Sequence, residues 1–222
     1  DKLSINFNPP IANLEIASNL QIDFANINQN RKIGLFLEHF PANNDPQIIR
    51  YVDQLYENAE NQNIFPGSDF FRFVKDDLPN LILDSYENKL IVITDGYMFM
   101  SHSNPARVEN KLGHLEGSIL DPLRSSNNWL DTYRNGDWGI VSAGQNFSNT
   151  SVLMLEFFPD CINNSNSPRT RILPLRPCIN EYDILQKFWS DWFIDMGIGT
   201  VRFVKRQDNQ NISTQAIQNF LK

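Results

Sequence analysis

The chain has 222 residues, 41% hydrophobic and 20% charged, with a formal net charge of −7. Sixteen Phe, six Tyr and four Trp can fill a sizeable core, so disorder over the whole length is excluded and one medium domain is expected. No run approaches the ~20 consecutive apolar residues of a membrane-spanning helix, and the acidic balance argues against a nucleic-acid partner, whose phosphates call for a basic footprint.

Residues 1–31 read as an amino-terminal extension packing on the domain, with short apolar alternation in "LSINFNPP" and "LQIDFAN" that suggests edge strands or extended packing segments. From Lys32 the pattern changes. "KIGLFLEHF" is an apolar run closed by Pro41 and predicts a buried strand. Asp45 and Pro46 then supply helix-start chemistry for a segment with Ile48, Ile49, Val52, Leu55 and Tyr56 at helical spacing. Ser68 is placed to cap a helix over "DFFRFVKDDL", with Phe70, Phe71, Val74 and Leu78 as its apolar stripe and Asp69 in its first turn.

"KLIVITDG" predicts a buried, parallel strand that opens at Thr94-Asp95-Gly96 into a loop. Residues 97–150 are less regular and form an excursion long enough to hold structure of its own. "SVLMLEFFP" predicts another buried strand and "CINNSNSPRTRILPLRP" a turn-rich connector. In "EYDILQKFWSDWFIDMG" the residues Ile184, Leu185, Phe188, Trp189, Trp192 and Phe193 share one wide face, and Gly197 is the stop. "GTVRFV" and "STQAIQNFLK" close the chain as a strand and a helix. The 28 Asn residues fall mainly between the apolar runs, where their tolerance of left-handed backbone suits turns. Alternation of strand and helix from Lys32 to the end predicts an α/β domain over 32–222: a three-layer, doubly wound, mostly parallel sheet with helices on both faces.

Ligands of open parallel sheets bind where strand carboxyl ends meet loops. Glu38, Ser68 and Asp95 are the candidates there, two carboxylates and a hydroxyl suited to a hard divalent cation. Each also has a plainer use. Asp95 can bond loop amides, Ser68 can cap a helix, and Glu38 and His39, adjacent on a strand, point to opposite faces rather than forming an acid–base pair.

"KLIVITDGYMFM", "PGSD" and "KIGLFLEHFP" together resemble the von Willebrand factor A-like family, over roughly residues 32–222. The resemblance implies a metal-ion-dependent adhesion site that captures a protein partner, with Asp95 in the family's Thr-Asp-Gly strand and Ser68 in place of its metal-binding Thr. Where the family carries Asp-x-Ser-x-Ser, this chain reads Glu38, His39, Phe40, Pro41, Ala42. Two hydroxyls are gone, so the expected site is eroded, with weak Mg²⁺ or Ca²⁺ binding or none, and no cofactor is required. The resulting expectation is a non-enzymatic protein-binding module.

The alternative is a caspase-like cysteine hydrolase. His102 follows one strand and Cys161 the next, an order that can set up a thiolate–imidazolium pair, with His114 as a second candidate base. Cys161 and Cys178 could instead form a disulfide in an exported protein, or remain small buried thiols in a cytosolic one. A start at Asp1 fits removal of a leader, and the expected location is therefore periplasmic or at a bacterial cell surface. Aromatic residues of the excursion, Trp129, Tyr133 and Trp138, would be contacts for protein or sugar if exposed.

Overall fold

A computed structural model describes residues 2–4, 21–23, 27–28, 31, 53, 67–100, 106–158, 180–206 and 210–222. The chain divides into two compact units, one of residues 1–69 with 100–102 and one of residues 70–99 with 103–222. In the first unit, β1 (Lys2–Ser4) and β2 (Gln21–Asp23) pair antiparallel with Lys2 opposite Asp23. These lie in the two alternating segments, and of the two readings open for them, edge strand or extended packing segment, the strand holds. The described part of this unit also holds a short strand, β3 (Gly67–Ser68). The predicted strand at 32–40 and helix at 45–56 lie outside the described residues.

The second unit opens with helix α1 (Phe70–Arg72), which widens into a π-turn over Phe73–Asp77 and tightens into a 3₁₀ turn over Leu78–Asn80. Phe70, Val74 and Leu78 are buried. Their spacing of four residues is wider than the 3.6 of an α-helix, and underwinding keeps all three on one side. The helix begins at Phe70, so Asp69 rather than Ser68 precedes its first residue, and no acidic residue lies in its first turn.

The framework of this unit is a parallel sheet of β4 (Asn88–Ile93), β9 (Thr150–Leu155) and β10 (Thr200–Phe203), with β9 in the centre. Asn88 pairs with Thr150 and Ile93 with Leu155, while Thr200 pairs with Ser151 and Phe203 with Met154. Between β4 and β9 the chain forms β5 (Phe99–Met100), β6 (Arg107–Val108), β7 (Lys111–Leu112), α2 (Asp121–Arg124), α3 (Trp129–Asn135) and β8 (Gly139–Ile140). β6 and β7 pair antiparallel, and β7 and β8 pair parallel, so the excursion holds a small sheet of its own. Tyr133 is buried, and Trp129 and Trp138 pack against the main core. Core packing therefore engages all three aromatics.

Helix α4 (Glu181–Asp195) lies between β9 and β10, as a parallel crossover requires. All six residues of its predicted face are buried. They pack with Val92, Val152 and Met154 on one face of the sheet. Alternate residues of the same strands, Ile91, Leu153 and Leu155, face the other way and meet Ala216, Ile217 and Phe220 of α5 (Gln210–Leu221). The sheet thus has a helix on each face, and the unit is mixed α/β. No described helix is long and apolar enough to cross a membrane.

α4 ends in a paired bonding pattern. The Gly197 amide donates to the Ile194 carbonyl at 2.9 Å and the Ile198 amide to the Phe193 carbonyl at 3.0 Å. Gly197 has φ +76, and Ile198 is buried, the backbone geometry and apolar contact of a Schellman stop. A Cβ on Gly197 would sit 2.8 Å from Asn146 Oδ1. Gly197→Ala is expected to cost roughly 1–3 kcal/mol in a urea unfolding curve. Gly199→Ala, whose Cβ meets nothing within 4 Å, should change the curve by less than about 0.5 kcal/mol.

Candidate functional site at the carboxyl edge of the parallel sheet

β4 ends where the sequence places its turn. The Thr94 amide still bonds the Leu155 carbonyl at 3.1 Å. Beyond it, the side chains of the turn close on their own backbone. Thr94 Oγ1 accepts from the Gly96 amide at 3.0 Å, and Asp95 Oδ1 accepts from the Tyr97 amide at 3.0 Å. Short polar side chains bonding two residues ahead are the usual device of such turns.

Gly96 is needed between them. Its φ is +104, and an added Cβ would lie 2.9 Å from the Phe157 ring. Its carbonyl accepts from Trp189 Nε1 of α4 at 2.8 Å. The turn is therefore anchored both to the sheet and to α4, and Asp95 stands exposed at its tip.

The same turn aims Tyr97 at a buried carboxylate. Glu181, the first residue of α4, is 2% exposed. Its Oε1 accepts from the Tyr97 hydroxyl at 2.6 Å. Arg124, at the end of α2, donates Nε to Oε2 and Nη2 to Oε1, and its Nη1 reaches Asp121 Oδ1 at 3.0 Å. Both carboxylate oxygens thus have charge-assisted partners in the fork geometry that guanidinium favours.

Burial, then the hydrogen bond to Glu181 and its charge, push the Tyr97 phenol well above its ordinary range. For Arg124, burial acts to lower the pKa, but bonding and attraction to Glu181 win and raise it. Burial followed by the charge of Asp191, whose Oδ2 accepts its hydroxyl at 3.0 Å, likewise raises the Tyr133 phenol.

The other two strand ends complete the edge. Glu156, just past β9, has φ +57, and its Oε1 accepts from Ser213 Oγ of α5 at 2.9 Å. Beyond β10, Lys205 Nζ lies 3.9 Å from the centre of the Tyr182 ring. Ile93 and Phe158 are 64% and 48% exposed.

Of the three expected metal residues, Asp95 is at this edge, with one oxygen engaged by its own turn. Ser68 belongs to the first unit, in β3. Glu38 lies outside the described residues, as do His102, Cys161 and Cys178. His114 is buried, with its ring edge-on to Phe99 at 6.0 Å. Among the described residues no three His, Cys, Asp or Glu groups come together, so they form no shell for a hard divalent cation.

Sequence reasoning missed the Tyr97–Glu181–Arg124 cluster. Glu181 shows in the sequence only as an acidic residue at a helix start, and nothing local joins it to partners 84 and 57 residues away. Comparison with family models, with characterised proteins and with solved structures finds no match.

Removing one member of a buried ion pair strands the other. Glu181→Ala should cost about 3–5 kcal/mol in chemical denaturation, and Glu181→Leu with Arg124→Met should recover much of it. The Tyr97 shift also sets a pH dependence. The folded chain holds this proton more tightly than the unfolded chain, so stability is present below the ordinary phenol value of ~10 and falls as pH rises above it. Tyr97→Phe should make the urea midpoint decline less steeply than the parent's between about pH 9 and 11.

Proposed function

We propose that this chain is a non-enzymatic protein-binding module of the von Willebrand factor A-like type, with a three-layer doubly wound domain and an eroded metal site. It works as an exported bacterial protein and meets its partner through the carboxyl edge of the parallel sheet. The observation that carries this reading is the presentation of Asp95 and Ile93 together at the end of β4, one an exposed carboxylate and the other 64% exposed. An apolar residue left this open beside a rigid polar turn suits the centre of a protein interface, where ordering costs have already been met in the free molecule. The resemblance of "KLIVITDGYMFM" and "PGSD" supports the family assignment, and the loss of the first-motif hydroxyls supports the erosion.

A photo-crosslinking residue in place of Ile93 should capture one discrete protein from an extract of the native source, and the same residue in place of Asn135 on α3 should not. Equal labelling from both positions, or none from Ile93, would count against the edge. In the same preparation, titration with Mg²⁺, Mn²⁺ and Ca²⁺ should give little heat. Tight binding that Asp95→Ala abolishes would mean the metal site is intact.

A further inference from the structure

The segment from Phe70 to Asn80 is wound in three ways, as an α-turn, a π-turn over Phe73–Asp77 and a 3₁₀ turn. π-turns are rare and gather where a function is served. This one has a local cause at its far end. Pro79 has no amide to give the Lys75 carbonyl, and its ring crowds the place that a continued α-helix would need. Side chains take over. Gln145 Nε2 donates to the Lys75 carbonyl and Asn80 Nδ2 to the Asp76 carbonyl, both at 2.9 Å. The carboxyl half of the segment is thereby fixed.

The amino half is provided for twice. In the observed winding the Leu78 amide donates to the Phe73 carbonyl, five residues back. Arg72 Nη2 lies 3.9 Å from Asp77 Oδ2 across the same step of five. Phe70 is 9% exposed and meets Trp189 and Trp192 edge-on at 5.2 and 6.3 Å, while half-buried Phe71 stacks on Trp192 at 6.1 Å. An α-helix asks for steps of three and four instead, and Phe71, Val74 and Leu78 supply them. Residues five apart on an α-helix point about 140° away from each other. In that winding Arg72 leaves Asp77 and meets Asp76, four residues ahead. The doublets Phe70-Phe71 and Asp76-Asp77 thus hold one matched set of partners for each winding.

We propose that α1 is a two-register switch. In the register described above, Phe70 fills the space against Trp189. In the other, the extra residue of the π-turn is drawn into regular α-winding, residues 70–72 turn by about 100°, and Phe71 takes that space. Val74 and Leu78 keep their places, and the exchanged rings are identical, so the volume of the core is unchanged. Trp189 Nε1 holds the Gly96 carbonyl at 2.8 Å. Repacking of the Trp189 ring therefore passes the register on to the Asp95 turn. The switch does not depend on what that turn binds.

Phe70→Ala in the full chain forces the choice. Its thermal midpoint should fall by less than about 4 °C, because Phe71 turns in to fill the space, whereas Phe70→Ala combined with Phe71→Ala should lose about 10 °C or more. In NMR spectra of Phe70→Ala, the Phe71 ring should show cross-relaxation with the Trp189 ring, and the Trp189 indole proton should exchange about tenfold faster than in the parent. A Phe70→Ala chain that by itself loses about 10 °C or fails to fold, or a Phe71 ring that stays away from Trp189, would overturn the switch and leave the π-turn a fixed feature of packing. An indole exchange rate equal to the parent's would overturn its link to the Asp95 turn.

Discussion

A carboxylate withdrawn from water must be met by donors at fixed places, and Glu181 imposes that condition on the second unit. Its charge is buried at the start of α4, where the helix dipole favours it but cannot replace lost hydration. Arg124 and Tyr97 supply the missing bonds from segments 57 and 84 residues away. Three pieces of chain are thereby held to one point: the turn after β4, the end of α2 and the first turn of α4. Hydrophobic packing can tolerate a small slide, but a fork of hydrogen bonds to a buried charge cannot without a large loss.

α4 carries that condition into the core. Below Glu181 its aromatic face packs Trp189 and Trp192 against Phe70 at 5.2 and 6.3 Å between ring centres, and Phe188 against Tyr133 at 5.0 Å. Polar atoms of these rings are satisfied as well, Trp189 by Gly96 and Trp192 by the Val141 carbonyl at 3.0 Å. One helix thus joins the parallel sheet, α1 and the small sheet of the excursion. The Thr94–Gly96 turn lies between this helix and the sheet, which is why a glycine is required there and why Asp95 is held in one position.

The two edges of the sheet consequently differ in character. At the carboxyl edge the buried charges are spent internally, and what reaches the surface is a carboxylate beside apolar side chains. At the amino edge hydroxyls dominate, one of them buried and without a partner. Of the two, the carboxyl edge is the one that suits a large partner that excludes water.

Much of this architecture can be read locally. β4, β9 and β10, the α4 stripe with its Gly197 stop, and the alternating segments of β1 and β2 follow from periodicities and stop residues within a few positions of each other. The Asp95 turn belongs with them, because its bond spans two residues. Composition likewise sets the α/β class, since apolar runs alternating with amphipathic stretches need a covered parallel sheet. The order β10-β9-β4, the two-residue strands of the excursion, the π-turn after α1 and the Tyr97–Glu181–Arg124 cluster belong to the tertiary structure alone. A charge chooses its partner by distance in space after the backbone has closed, and two-residue strands are too short to carry a period, so no spacing along the chain announces either.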